Sequence, residues 1–142
     1  MVIVYPKISA DKIKLDDNIQ LIRSLYENKY TSSEEDGLIN DYYHDDQIHV
    51  IYKDEKAKFI GINSPLEVEC NGINLSSMRY SELRELFKNS REKYGNYNSL
   101  IFMDLGIGFY FEDDDEDPKP LQVGVFLKEI YSDVMNTLKP IE

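Results

Sequence analysis

Six consecutive acidic residues, Glu112 to Asp117, form the group of side chains in this sequence best suited to binding an ion. Alternate aspartates within the run match the first ligand positions of an EF-hand calcium loop. The remainder of that loop does not match, because its sixth position, which requires glycine, is Pro118, and its twelfth, which requires glutamate, is Gly124. The run therefore predicts a solvated acidic loop or an acidic patch that binds protein, with a divalent-ion site as the least favoured interpretation.

The two histidines and the single cysteine are the other candidates for a reactive or metal-binding centre. His44 stands beside two aspartates that could orient its imidazole, but His44 and His49 lack the i, i+4 spacing of a helical zinc pair. Cys70 lies in a strand-like alternation, which predicts a buried residue rather than an activated thiolate. The sequence therefore predicts no metal site and no cofactor, and an exposed turn is the expected place for a histidine.

Sequence motifs of catalysis do not match either. The segment Gly106-Ile107-Gly108 is not a phosphate-binding loop, because it lacks both the G-x-G-x-x-G spacing and the Gly-Lys-Ser/Thr ending. No G-x-S-x-G nucleophile elbow occurs in the chain. With 27 Asp and Glu residues, any single pair of carboxylates is uninformative about acid–base chemistry. We therefore expect a protein that is not an enzyme.

The charge of the chain narrows the partners that it can bind. Lys and Arg total 16 and Asp and Glu total 27, so the net charge is −11 at neutral pH. A field of this sign repels nucleic-acid phosphates and anionic lipids and accelerates encounter with a basic protein. We expect a protein partner, with no direct binding to nucleic acid or membrane, and self-association through surface tyrosines is a further option.

Cysteine content and hydropathy bear on the compartment. A single cysteine allows no internal disulfide, and the longest apolar stretches are far shorter than the ~20 residues that cross a bilayer. The first residues lack the basic region and long apolar run of a signal peptide. These features predict a cytoplasmic protein.

Tyrosine is frequent, with 11 in 142 residues, and its broad ring with a polar tip is enriched at protein interfaces. Two stretches join aromatic residues to acids, namely residues 42–46 and residues 109–117. A core role is equally open, because alternate residues of a strand point to opposite faces of a sheet. The candidate partner-binding residues are Tyr42, Tyr43, Asp45, Asp46, Tyr110, Glu112, Asp113, Asp114, Asp115, Glu116 and Asp117.

Short β-branched and aromatic runs predict several strands in the first half of the chain. Residues Val2 to Tyr5 predict a first strand, and a helix with apolar residues at helical spacing from Ile19 to Tyr26 follows, capped by Asp16 or Asp17. The polar residues Thr31 to Asp36 predict a surface loop. Four runs then predict an antiparallel meander, at Leu38–Tyr43, Gln47–Lys53, Ala57–Asn63 and Leu66–Cys70.

The second half predicts another helix and more strands. Helical spacing predicts a helix from Tyr80 to Tyr94 that ends at Gly95. Strands are predicted at Leu100–Asp104, Gly106–Phe111 and Gln122–Ile130, with a short helix after the last. Runs of strands between helices predict an α+β fold, an antiparallel sheet with about two packed helices. No repeat, linker or change of composition divides residues 1–142, so one domain is expected.

Hydrophobic spacing and glycines form a layout that extends through most of the chain. It is found in the segments Ile13–Asp17, Ile48–Tyr52, Phe59–Ile62, Asn71–Leu75 and Leu105–Tyr110. In this layout the sequence resembles small immunity proteins of bacterial polymorphic-toxin and contact-dependent growth inhibition systems. The resemblance implies a cytosolic, non-enzymatic antidote that binds the toxin domain encoded by a neighbouring gene. It brings no catalytic residues with it.

The resemblance and the charge together define the expected function. Many immunity proteins are acidic because many of their toxins are basic nucleases. The resemblance thus implies binding to a cognate, basic nuclease-type toxin C-terminal domain, with its active site covered or its substrate blocked. Two alternatives stay open: a DNA-mimic or regulatory adaptor whose carboxylates imitate phosphates, and, less favoured, a small metal-dependent hydrolase built on a histidine.

Overall fold

The computed structural model describes residues 1–96, 98–112, 116–132 and 138–141. Two α-helices accompany extensive antiparallel sheet, which confirms the predicted α+β class. The helices are α1 (Ile19–Leu25) and α2 (Tyr80–Leu86), and 3₁₀ turns lie at His44–Asp46, Leu75–Ser77 and Lys128–Tyr131. The strands are β1 (Val2–Tyr5), β2 (Ser9–Ala10), β3 (Ile13–Lys14), β4 (Thr31–Glu35), β5 (Leu38–Tyr43), β6 (Ile48–Lys53), β7 (Lys56–Asn63), β8 (Val68–Cys70), β9 (Ile73–Asn74), β10 (Lys93–Asn96), β11 (Ser99–Phe102), β12 (Ile107–Tyr110), β13 (Gln122–Phe126) and β14 (Lys139–Pro140).

A nine-stranded antiparallel sheet in the order β14-β10-β11-β12-β13-β7-β6-β5-β4 dominates the fold. Strands β4 to β7 pair in chain order, and so do β10 to β13. The two halves join where β13 pairs with β7, which places Val123 opposite Ile62 and Val125 opposite Ile60. Successive side chains of a strand point to opposite faces, so a strand such as β11 sends Leu100 and Phe102 to one face and Ile101 to the other.

The prediction of a fourth strand in the meander is wrong. Residues Val68 to Cys70 form β8 in a separate five-stranded sheet, in the order β3-β2-β1-β8-β9, where β8 runs parallel to β1. The edge of β7 that β8 was expected to occupy is taken by β13, from more than 50 residues further along the chain. Cys70 is buried in this sheet, as its alternation predicted.

The predicted surface loop at Thr31 to Asp36 is also wrong, because this segment forms the edge strand β4. Every residue of β4 is exposed, so no apolar alternation reveals it in the sequence. The strand exists through backbone pairing with β5, from Thr31 opposite Tyr42 to Glu35 opposite Leu38. Gly37 adopts φ +79°, the left-handed conformation that glycine tolerates, in the turn between the two strands.

Helix α1 begins one residue later than the predicted caps allow. Asn18 caps it, with Oδ1 accepting a hydrogen bond from the backbone N–H of Gln20 at 2.8 Å. Asp17 instead accepts a hydrogen bond from the backbone N–H of Lys14. Ile22 is buried on the face of the helix that packs against the core. Within the described ranges, no helix is long and apolar enough to cross a membrane.

Helix α2 ends at Leu86, eight residues before the predicted end at Tyr94. The carboxylate of Asp104 explains the early end, since it accepts hydrogen bonds from the backbone N–H groups of Arg91 at 2.9 Å and Glu92 at 3.3 Å. These contacts draw the chain into β10, where Tyr94 and the glycine after it become strand residues. The helical spacing of the sequence continues, but tertiary hydrogen bonds override it.

The two faces of the nine-stranded sheet bury different clusters. The near face packs against both helices and the small sheet, around a main core that includes Ile22, Tyr52, Leu83 and Phe102. The opposite, far face carries a second cluster, whose buried members are Phe59, Ile101, Met103, Phe126 and Tyr131. Strand β13 ends at Phe126 rather than at the predicted Ile130, because the chain turns there to cover part of the far face.

Candidate functional site

Both predicted acidic segments lie at the same end of the nine-stranded sheet. Asp45 and Asp46 occupy the 3₁₀ turn between β5 and β6, and the acidic run begins after β12. Strands β6, β7, β13 and β12 are antiparallel neighbours, so the start of β6, the end of β7, the start of β13 and the end of β12 lie side by side. Three strand spacings therefore separate the two segments, about 14 Å.

The exposed carboxylates at this end form a surface that we call the acidic end. Its members are Glu27, Asp45, Asp46, Glu67, Glu112 and Glu116. Glu67 was not predicted from the sequence; it lies in the connection that leaves β7. The predicted residues Asp113, Asp114 and Asp115 lie outside the described residues.

Asp117 has a structural role at the base of the acidic run. Its Oδ1 accepts a hydrogen bond from the backbone N–H of Ser81 at 2.9 Å, and its Oδ2 accepts one from Ser81 Oγ at 2.7 Å. These bonds hold the pKa of Asp117 below its ordinary value. Arg79 Nη1 also donates to the backbone carbonyl of Asp117 at 2.8 Å. Asp117 therefore anchors the run to the first turn of α2.

Two lysines moderate the charge beside the 3₁₀ turn. Lys12 and Lys29 line a cleft together with Asp45, Asp46 and Glu27, and Lys29 Nζ lies 3.5 Å from Glu27 Oε2. Glu112 and Glu116 are exposed at the other side of the acidic end, where Arg79 bonds the carbonyl of Asp117 and Lys119 follows the acidic run. Cations therefore stand beside both parts of the acidic end, and we expect its excess of carboxylates to set the sign of the local field.

Tyr43 is not available to a partner, which corrects its assignment as a partner-binding residue. It is 0% exposed and lies on the near face, where its Oη donates to Asp41 Oδ2 at 3.0 Å and bonds to Tyr52 Oη at 3.1 Å. Arg23 completes this buried network by bonding both oxygens of Asp41. The alternation of β5 sends the preceding residue, Tyr42, to the far face.

An apolar groove of about 280 Å³ lies on the far face. We call it the far-face groove. The side chains that line it are Leu38, His49, Ile51, Phe59, Tyr110, Gln122, Ile130 and Tyr131. One wall comes from β5 and β6, and the other comes from β12 and the C-terminal 3₁₀ turn.

A row of glycines in three adjacent strands shapes the floor of the groove. Gly61 lies opposite Gly124, which in turn lies opposite Gly108. A Cβ on Gly124 would come within 2.6 Å of two ring atoms of Phe59, and one on Gly61 within 2.6 Å of the Gln122 amide. The bare backbone therefore lets a ring and an amide lie directly on the sheet.

Polar side chains form a continuous chain along the edge of the groove. Asn40 Oδ1 lies 2.9 Å from His49 Nε2, so the neutral imidazole donates from Nε2. Gln122 Nε2 donates to Asn63 Oδ1 at 2.8 Å and approaches His49 Nδ1 at 3.4 Å. Tyr42 stacks on the imidazole of His49 with ring centroids 4.4 Å apart. The network holds His49 in one tautomer and orientation.

The two histidines occupy different environments. His44 lies in the exposed 3₁₀ turn, as predicted for a histidine of this chain, and bonds Thr31 Oγ1 at 2.8 Å. His49 is partly buried on the far face. Across the part of the chain that the structure describes, no group of three or more His, Cys, Asp and Glu side chains is placed to hold a metal ion.

We predict that His49 makes stability depend on pH. Burial lowers the pKa of His49 from 6.5 to about 4. Between these values the unfolded chain binds a proton that the folded chain does not, so stability is complete above about pH 6.5 and falls as the pH drops towards 4. Allowing for its partial exposure, we expect this residue to account for a loss of about 2 kcal/mol.

Denaturant unfolding at about pH 7 and about pH 5 measures this effect. The His49→Gln variant is less stable at the higher pH, but it should lose less free energy of unfolding between the two pH values than the wild type does. Carboxylates common to both proteins cancel in this comparison. Equal losses in the two proteins would show that His49 does not carry the effect.

The far face thus brings together two of the predicted tyrosines. Tyr42 stacks beside the groove, and Tyr110 forms part of its wall, with its Oη in a short hydrogen bond to Tyr131 Oη. Burial raises the pKa of Tyr110 to about 12, so its hydroxyl stays protonated. Both tyrosines lie near the acidic end, because Tyr42 is the penultimate residue of β5 and Tyr110 is the last residue of β12.

Other residues of the groove were not predicted from the sequence as site residues. Phe59, Gln122 and Tyr131 look like ordinary strand or core residues when they are taken singly. The glycines at positions 61, 108 and 124 were the available signal, since glycine inside a strand often marks a close approach of other atoms. Only the pairing of β7, β13 and β12 places these glycines in one row.

Comparison with known proteins finds no match: no protein-family model, no curated protein and no solved structure matches this chain.

Proposed function

We propose that this chain is a non-enzymatic immunity protein that acts in the cytoplasm by binding and neutralising a cognate, basic toxin domain of nuclease type. One observation carries the proposal: the fold gathers acidic segments that are more than 60 residues apart in sequence at one end of a single sheet. A field concentrated at one end of the molecule orients an incoming basic partner.

The acidic end supports the proposal through its exposure and its neighbours. Its carboxylates are accessible, so a partner's Lys and Arg side chains can pair with them without the cost of dehydrating buried charges. Tyr42, half-buried and next to the 3₁₀ turn, is a candidate anchor at the edge of this surface. A toxin domain held there has its own basic, nucleic-acid-binding surface covered.

The first experiment expresses the toxin candidate with and without this chain. The candidate is the C-terminal domain of a large secreted protein encoded by the gene upstream. We expect the toxin domain alone to kill the host cell, and co-expression to restore growth and give a complex that co-purifies. Death in both cultures without a complex would contradict the proposal, and equal binding to an unrelated basic DNA-binding protein would favour the DNA-mimic alternative.

We predict that neutralising the acidic end slows association with the toxin domain. The variant combines Asp45→Asn, Asp46→Asn, Glu112→Gln and Glu116→Gln. Loss of four charges from one surface weakens steering, so we expect the association rate at low salt to fall by about tenfold or more and its salt dependence to flatten. Stopped-flow kinetics at several salt concentrations measures both effects.

A control variant carries the same charge change at the opposite end of the sheet. It combines Glu34→Gln, Glu35→Gln, Asp36→Asn and Asp54→Asn, all exposed. These acids lie at the end of the sheet away from the proposed binding surface, so we expect a change of less than about threefold. Equal slowing by the two variants would indicate that net charge, and not the acidic end, governs encounter.

A further inference from the structure

Among the residues that the structure describes, the far face of the sheet is only partly covered. The C-terminal 3₁₀ turn packs Ile130 and Tyr131 over one side of it, and Leu38 and Ile51 border the other side. Between them the far-face groove exposes the edge of Phe59, which is itself 3% exposed and held between the glycine row and Tyr110. The groove is therefore a preformed site with a rigid aromatic floor.

The size of the groove limits its occupant. Its volume of about 280 Å³ is nearly twice that of a cavity of about 150 Å³ that accommodates benzene. Ligand pockets typically begin at about 300 Å³. A molecule of two fused rings therefore matches the volume of the groove.

The absence of charged side chains among the lining residues disfavours binding of an ion. None of the eight lining residues is Asp, Glu, Lys or Arg, although such residues make up 30% of the chain. His49 is neutral at physiological pH because burial lowers its pKa. A charged ligand would leave its charge unpaired in an apolar environment, which costs several kcal/mol. The site therefore suits an uncharged molecule.

The polar groups at the rim of the groove bond to one another. Gln122 Nε2 donates to Asn63 Oδ1 and approaches His49 Nδ1. The hydroxyls of Tyr110 and Tyr131 form a hydrogen bond with each other. Phe59 and Tyr110 supply aromatic contacts to a planar ring.

We propose that the far-face groove binds a small, uncharged, bicyclic aromatic molecule. This site is separate in chemistry from the acidic end, and it goes beyond the proposed function. A planar metabolite bound there would lie against the far face of the sheet, next to the acidic end.

Indole is a suitable probe, and indole-3-carboxylate is its charged counterpart of nearly the same shape. Titration into the isolated full chain is followed by ligand-observed NMR and calorimetry. We expect saturable binding of indole and at least tenfold weaker binding of the carboxylate. Because the chain contains no tryptophan, fluorescence excited at wavelengths beyond the absorption of tyrosine reports on indole alone in the wild-type protein.

A matched pair of variants locates the binding site. Ile51→Trp places an indole ring inside the groove, and Ile73→Trp makes the same change on β9, where Ile73 is 40% exposed. Circular dichroism and the unfolding midpoint confirm that each variant folds. We expect NMR and calorimetry to show at least tenfold weaker indole binding for Ile51→Trp and unchanged binding for Ile73→Trp.

Several results would overturn this proposal. They are a wild-type chain that shows no saturable binding, an Ile51→Trp variant that binds indole as the wild type does, and a carboxylate that binds as tightly as indole. Loss of toxin binding in Ile51→Trp without any indole binding to the wild type would assign the groove to a partner's aromatic side chain instead. Since indole binding needs no partner, this proposal and the immunity function can fail separately.

Discussion

Replacing Arg23 with methionine is expected to lower the free energy of unfolding by about 3 to 5 kcal/mol, because it leaves a buried carboxylate without its cation. Asp41 is 0% exposed and accepts hydrogen bonds from Arg23 Nε at 2.8 Å and Nη2 at 2.9 Å. Burial alone would raise the pKa of Asp41, but hydrogen bonds from Arg23 and Tyr43 lower it, so the group is ionised in the folded protein. Urea unfolding at neutral pH measures the loss.

Two further variants separate loss of the ion pair from a general effect of losing an arginine. Arg91→Met removes an exposed guanidinium and should change the free energy of unfolding by no more than about 0.5 kcal/mol. The double variant Arg23→Met/Asp41→Leu removes both buried charges and should recover at least half of the loss. A double variant no more stable than Arg23→Met would show that packing by the arginine stem, rather than the unpaired charge, causes the effect.

The second large effect is expected at the glycine row. Gly124→Ala should destabilise the protein by about 3 kcal/mol, because its Cβ would meet two ring atoms of the buried Phe59 at 2.6 Å. Phe59 packs on the floor of the far face and cannot retreat into the sheet backbone. Thermal and denaturant unfolding of the variant measure the loss.

Gly108 provides the matched control, since it sits opposite Gly124 in the next strand. Its Cβ would lie 3.5 Å from Ile101 Cγ1, an ordinary contact, so Gly108→Ala should be nearly neutral. The double variant Gly124→Ala/Phe59→Leu should lose less free energy of unfolding than the sum of the losses in the two single variants, because leucine leaves the space of the ring empty for the new methyl group. Equal costs at the two glycines would refute the role given to Phe59.

Local pattern was sufficient where a strand or helix is half-buried and pairs with its sequence neighbour. The segments of β5, β6 and β7 are short runs rich in Ile, Val, Tyr and Phe, and hairpins join them, so pattern and position agreed. Helix α1 was predicted from its apolar spacing, although its cap is Asn18. The burial of Cys70 followed from the same kind of alternation.

Local pattern failed where the structure depends on distant partners. The strand β4 has no buried face, so only its pairing with β5 defines it. The predicted length of α2 exceeded its true length because Asp104, which is distant in sequence, holds the chain that follows the helix. The fourth strand of the meander was misplaced because β13 binds the edge of β7.

The sequence by itself determined the α+β class, the strong negative charge and the abundance of tyrosine, because composition and short-range periodicity express these properties directly. Only the tertiary structure decided that Tyr43 is core and Tyr42 is surface, because alternation defines two faces of a strand without saying which face is covered. It likewise decided that two acidic segments meet at one end and that three glycines form a row. Both features arise from strand pairing between residues distant in sequence, which no local pattern encodes.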